Sequence, residues 1–162
     1  MVPGNNLSVQ RMNERAPKDR TNDPVRVRVF HYPQDYPAVD SLWRSAGRGI
    51  QLGRSDQETE ILKKLKRDGD LFLVAERAGQ IVGAVLGGYD GRRGMVYHLA
   101  VEASFRGQGI GRALMTDLEE RLRAKGCLKV YLLVTKENLE AIKFYEEFGW
   151  EKMDLFIYGR EL

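Results

Sequence analysis

The segment Arg106-Gly107-Gln108-Gly109-Ile110-Gly111-Arg112 sets three glycines in five residues between two arginines. Glycine lets a backbone approach a ligand closely and take conformations that other residues avoid. A helix starting within this segment would offer unpaired amides and a positive dipole end, so the chemistry on offer is anion binding, phosphate above all. Arg106 and Arg112 can add charge to the same group. Two familiar phosphate loops are excluded. The order Gly107-x-Gly109-x-Gly111 lacks the spacing of the dinucleotide fingerprint, and no Lys-Ser/Thr pair follows to make a nucleotide-triphosphate loop. Standing alone, the segment also reads as a flexible turn between two elements.

Other reactive side chains are few. Cys127 is the sole cysteine, and it reads as a small buried hydrophobe opening a strand rather than a catalytic thiol. It cannot form an internal disulfide, so a reducing cytoplasm is the expected location. An imidazole titrates near 6.5, which makes His98 a tempting base. Strand alternation, however, turns His98 away from the face that Met95 and Tyr97 occupy, so it reads as a packed histidine. Tyr145, on spacing alone, reads as a core aromatic on the buried face of a helix. No metal is expected.

Stepping outward, hydrophobic periodicity supplies the elements that would hold these residues. Alternation over 25–29 predicts a half-buried strand. A helix over 36–46 carries Val39, Leu42 and Trp43 on one face, and a second over 56–67 carries Ile61, Leu62 and Leu65 behind a Ser55 cap. Strands follow at 71–75 and 80–86, joined by a hairpin-like turn at 77–80. The cluster Gly87-Gly88-Tyr89-Asp90-Gly91 should break or bend the sheet before a strand at 95–101. A helix over 109–125 places Ile110, Leu114, Leu118 and Leu122 in one stripe, and Gly126 stops it. A near-continuous apolar strand at 130–134 suits a parallel position covered on both faces. A short helix at 139–148 and a last strand at 153–158 complete an α/β mixed sheet with helices on both faces.

The chain of 162 residues suits one domain with a proper core. Residues 1–24 hold Pro3, Pro17 and Pro24 without apolar periodicity and read as a loosely ordered tail, leaving 25–162 as the domain. The net charge of +3, from 26 basic and 23 acidic side chains, is too scattered for a dedicated nucleic-acid binder. No apolar run approaches the roughly 20 residues needed to span a bilayer, and no signal-peptide core opens the chain.

The glycine segment has a second motif downstream. Arg106-x-x-Gly109-x-Gly111 at the start of an amphipathic helix resembles the acetyl-CoA signature of the GNAT N-acetyltransferase superfamily. Asn138-Leu139-Glu140-Ala141-Ile142-Lys143-Phe144-Tyr145-Glu146-Glu147-Phe148-Gly149-Trp150 is similar to that family's second cofactor-contacting helix. Gly87 to Gly91 and their surroundings resemble the bacterial YpeA-type subgroup, a relative of the ribosomal-protein alanine acetyltransferases. The resemblance implies a mostly antiparallel central sheet with one splayed parallel strand pair, and acetyl-CoA as cosubstrate. It implies that Leu99, Ala100 and Val101 hydrogen-bond the pantetheine arm through their backbone. Amides from Arg106, Gly107, Gln108, Gly109, Ile110 and Gly111 would hold the pyrophosphate, with Arg112 alongside. Asn138 would touch the arm from the facing side, and Tyr145 would protonate the departing thiolate. The partner would be an amine acceptor, by direct transfer; a homodimer is compatible with this.

The resemblance fails at the base. Alanine acetyltransferases of this kind carry a glutamate where this chain has Leu133, and the other common position falls near Met95. Water relayed to Glu102 or Asp90 is one alternative. An α-amine near pKa 7.7–8.0 needs less help than a lysine near 10.4, which leans the acceptor towards a weakly basic amine. Leu133 and Met95 also leave open an acetyl-CoA-binding sensor without transferase activity. A nucleic-acid-binding module using Arg26, Arg28, Arg92 and Arg93 is a third reading, with steep salt dependence as its mark.

Overall fold

A computed structural model describes residues 23–162. The expected tail at 1–24 therefore lies almost wholly outside the described residues. The elements run β1 (Arg26–Val29), α1 (Tyr36–Ser45), α2 (Glu58–Asp68), β2 (Phe72–Arg77), β3 (Gln80–Tyr89), β4 (Gly94–Val101), α3 (Ile110–Ala124), β5 (Val130–Leu132) and α4 (Leu139–Glu147). One sheet orders them β1-β2-β3-β4-β5. All neighbours are antiparallel except β4 and β5, which run parallel.

Side-chain alternation along the strands divides the core into two layers. Leu73, Ala75, Val85 and Val96 face α3 and meet its stripe of Ile110, Leu114, Leu118 and Leu122. Phe72, Val74, Ala84, Leu86 and Ala100 face the other way, onto Val39, Leu42 and Trp43 of α1 and Ile61 of α2. Phe72 stacks between Phe30 and Trp43, with ring centroids 4.1 and 5.6 Å away. Close approach explains one glycine directly. A Cβ on Gly87 would lie 2.5 Å from Leu118 Cδ1, so α3 can sit this near β3 only over a bare backbone.

Several expectations need correction. The glycine cluster does not end the third strand; β3 runs through Gly87 and Gly88 to Tyr89. The bend takes the form of a β-bulge instead. Ser55 does not cap α2. It lies in a short 3-10 turn, Arg54–Asp56, and Gln57 is the residue before the helix. Strand β5 stops at Leu132 and is only half-buried rather than covered on both faces. The strand expected at 153–158 does not form: residues 151–162 have no regular structure and are exposed. Its apolar run has strand propensity, but a three-residue β5 offers little edge for a ladder. Order ends at Trp150, whose indole N–H donates to Glu119 of α3 at 3.0 Å.

Arg28 is spent inside the fold. Its guanidinium donates to both oxygens of Asp35, at 2.5 and 3.0 Å, and to Glu76 at 2.9 Å, which pins β1 to the start of α1 and to β2. The basic strand considered for nucleic acid therefore loses a charge to internal pairing. Cys127 is buried, and its thiol donates to the Lys129 carbonyl at 3.3 Å, as expected of a packed cysteine.

Candidate active site

Strands β4 and β5 are paired only from Gly94–Val130 to Val96–Leu132. Beyond that point they part, and β4 continues alone to Val101. The wedge between them opens a cavity of about 800 Å³, bounded by β4, the start of α3, α4 and the segment 46–51 after α1.

The glycine segment lies at one end of it. Gly107 and Gly109 have left-handed φ values of 73° and 79°, which side chains rarely adopt, and a Cβ on either would meet nothing within 4 Å. Gly109 is the residue before α3; it supplies no side-chain cap, and the first turn holds no acid. The first amides of α3 thus face the cavity end with neither a capping oxygen nor a competing carboxylate, a donor set that fits a diphosphate. Leu99, Ala100, Val101, Arg106, Gly107, Gly109, Ile110, Gly111, Arg112, Asn138 and Tyr145 all line the cavity. Gln108 does not. Its side chain turns outward to accept from Arg77 at 2.6 Å.

The two arginines are already engaged. Arg106 donates through Nε to the Val101 carbonyl at 3.1 Å, and its Nη1 lies 3.6 Å from Glu140 of α4. Arg112 leans onto α4: its guanidinium sits 4.8 Å over the Phe148 ring and donates to the Glu147 carbonyl at 3.4 Å. Asn138 caps α4, accepting from the Ala141 amide at 3.1 Å. Its Nδ2 lies where a Cβ on Gly49 would be only 3.2 Å away, so the segment after α1 arches to the tip of α4.

Tyr145 faces the cavity from α4, with Phe144 and Trp150 at 5.1 and 5.9 Å between ring centroids. Burial pushes its phenol up to about 12. The hydroxyl therefore stays protonated across the physiological range and serves as a donor. Among the described residues nothing accepts from it.

His98 departs from the sequence expectation. Between the pairs Val85–Leu99 and Gly87–Val96, β3 advances two residues and β4 three. The extra residue cancels the alternation, so Tyr97 and His98 share one face. Tyr97 lies over Gly88, and His98 packs edge-on to Trp43 at 5.1 Å while its Nε2 meets Asp56 at 2.6 Å. The sequence gave no signal for Asp56, which only the tertiary fold brings to β4. Neither relay candidate reaches the cavity. Glu102 accepts from Ser104 on a neighbouring groove. Asp90 closes the β3–β4 turn, where the Arg93 and Arg92 amides hold its carboxyl below the usual range. Leu133 and Tyr97 do line the cavity, at the end away from the glycines, together with Ala46, Ile50 and Gln51.

Residues 36–150 match the model of the Acetyltransferase (GNAT) family. An acetyltransferase of Pectobacterium atrosepticum is 43% identical over 138 residues, covering 85% of this chain and 96% of that protein. Among solved structures, Ard1 from Thermoplasma volcanium is 31% identical with a TM-score of 0.64, over 77% of this chain and 81% of its own. A ribosomal-protein-alanine N-acetyltransferase from Brucella melitensis biovar Abortus is 25% identical with a TM-score of 0.65, over 85% and 99%.

Proposed function

The chain belongs to the GNAT acetyltransferase family and is an N-acetyltransferase, and from that premise we propose direct transfer of an acetyl group from acetyl-CoA to a primary amine. One observation carries the reading: the uncapped start of α3, the parted strands and the Tyr145 phenol all border a single cavity. The amides from Arg106 to Gly111 hold the pyrophosphate, and the backbone of Leu99, Ala100 and Val101, freed where β5 departs, binds the pantetheine arm. Asn138 keeps its amide N–H₂ for the same arm, because its oxygen already caps α4. Arg106 and Arg112 turn from their α4 partners to the phosphates.

This placement sets the thioester beside Tyr145. The neutral amine attacks the thioester carbonyl carbon, and the tetrahedral intermediate collapses with cleavage of the C–S bond. Nitrogen releases a proton and sulfur gains one. A phenol near 12 is a poor acid towards a thiolate whose conjugate acid ordinarily titrates near 8.5, so complete transfer from Tyr145 is uphill by roughly 5 kcal/mol. Tyr145 instead donates a hydrogen bond to sulfur as its charge grows, which needs no transfer and is worth about 1.5–3 kcal/mol. Holding the two reactants in one cavity supplies the remaining advantage through proximity.

Release of free thiol from acetyl-CoA over a panel of amines tests the reading. Amine-dependent release supports it. Normal binding of acetyl-CoA with no release for any amine would return the chain to a sensor.

A further inference from the structure

The last pair of the parallel ladder, Val96 and Leu132, packs towards α3. The next residue on each strand, Tyr97 and Leu133, faces the opposite way. Both stay substantially uncovered, at 53% and 58% exposure, and both line the cavity at the end away from the glycine segment. Across from them lie Ala46, Ile50 and Gln51. Two large apolar side chains left bare inside a cavity call for an apolar occupant.

The charges at this end point the same way. Of the cavity's charged residues, Arg106, Arg112 and Glu140 belong to the glycine end, where Arg106 and Glu140 face one another. Only Glu137, exposed on the loop before α4, adds charge near Leu133. Asp56 beneath Tyr97 is bonded to His98. A polycationic acceptor would bring several ammonium groups out of water with no carboxylates to receive them, a heavy penalty. The space is limited as well. The same 800 Å³ must take the pantetheine arm, and the approach of Gly49 to Asn138 roofs one side. An extended peptide does not suit what remains.

Building on the proposed acetyl transfer, we infer that the acceptor is a small monoamine with an uncharged apolar body, aliphatic or aromatic, laid against Tyr97 and Leu133 with its amine towards the thioester. Tyr97 and Leu133 then act as specificity residues. A second ammonium at the far end of such a body would sit on Leu133, and rejecting it costs the enzyme nothing.

The test compares hexylamine with hexamethylenediamine, which match in length and differ by one terminal ammonium. Thiol release from acetyl-CoA gives kcat/KM for each, and calorimetric titration of the CoA-loaded protein gives their binding order independently of turnover. The inference expects hexylamine to be preferred by about 100-fold, the scale on which an unpaired buried charge is rejected. In Leu133→Glu, a change at an exposed position that the fold should tolerate, the preference should narrow to below about tenfold. Preference of the wild-type protein for the diamine, for an aminoglycoside or for an alanine-terminated peptide would overturn the inference and leave acetyl transfer standing. Acetyl-CoA binding with no thiol release for any amine would overturn the transfer reading itself.

Discussion

The imidazole of His98 lies 2.6 Å from the carboxylate of Asp56, and this contact ties the extra residue of β4 to the turn before α2. Both side chains are largely buried, at 14% and 13% exposure. The β-bulge puts His98 in reach, and Trp43 holds the ring edge-on. Asp56→Ala leaves a buried imidazole without its partner and should cost about 1–3 kcal/mol. Urea unfolding at neutral pH measures it; a loss below about 0.5 kcal/mol would mean that the pair is not formed in solution.

Gly87 makes a sharper claim about packing. A Cβ there would meet Leu118, which is fully buried, at 2.5 Å, and the Leu71 carbonyl at 3.2 Å. Gly87→Ala should therefore destabilise the protein by roughly 1–3 kcal/mol despite the smallest possible side chain. A neutral or stabilising effect in thermal unfolding would show that α3 sits farther from β3.

Asp35 governs stability in acid. Burial alone would raise its carboxyl, but hydrogen bonds from Arg28 and the His31 amide outweigh that and hold it below the usual carboxylate range. The folded pKa lies below the unfolded one, so the stabilisation is fully present above the unfolded carboxylate range and is lost as pH falls through the folded value. The wild-type protein should lose stability on acidification more steeply than Asp35→Asn. At neutral pH that variant should be less stable by roughly 2–4 kcal/mol, since Arg28 then lacks its main partner. Denaturant titrations at several pH values from neutral to strongly acid read both effects.

Much of this arrangement was legible in the residues. The Ile110-Leu114-Leu118-Leu122 stripe, the Val39-Leu42-Trp43 face and the glycine segment all depend on local spacing, and all fall where spacing puts them. What failed depends on pairing between distant segments. Alternation could not place His98, because the bulge exists only in the register of β3 against β4. The apolar run at 153–158 has the composition of a strand and no ladder to join. Arg112 sits beside the phosphate loop in sequence, yet Phe148 draws it to α4. The Asp35–Arg28 and Asp56–His98 pairs join residues that no motif connects.

Tyr145 offers two separable outcomes. As a hydrogen-bond donor to the departing sulfur, its loss in Tyr145→Phe should slow single-turnover acetyl transfer by roughly 10- to 100-fold with acetyl-CoA affinity nearly unchanged. Burial raises its phenol from about 10 to about 12. A raised folded pKa means that the native state holds its proton longer than the unfolded chain, so stability present below pH 10 falls as pH climbs towards 12. Up to about 2.7 kcal/mol of that alkaline loss should be absent from Tyr145→Phe. An unchanged transfer rate would make Tyr145 a packing residue; equal alkaline slopes in the two proteins would mean that the ring is solvated.

The central claim is that the uncapped amides at Gly109 receive the cofactor's pyrophosphate. Gly109→Gln and Gly109→Glu impose the same shape and the same backbone strain at φ 79°, and they differ only in charge. Calorimetric titration with acetyl-CoA should find that the glutamate variant binds at least about tenfold more weakly than the glutamine variant, because a carboxylate there competes for the amides and repels the phosphates. Equal affinities for the two variants would contradict the account and leave the glycine segment a turn.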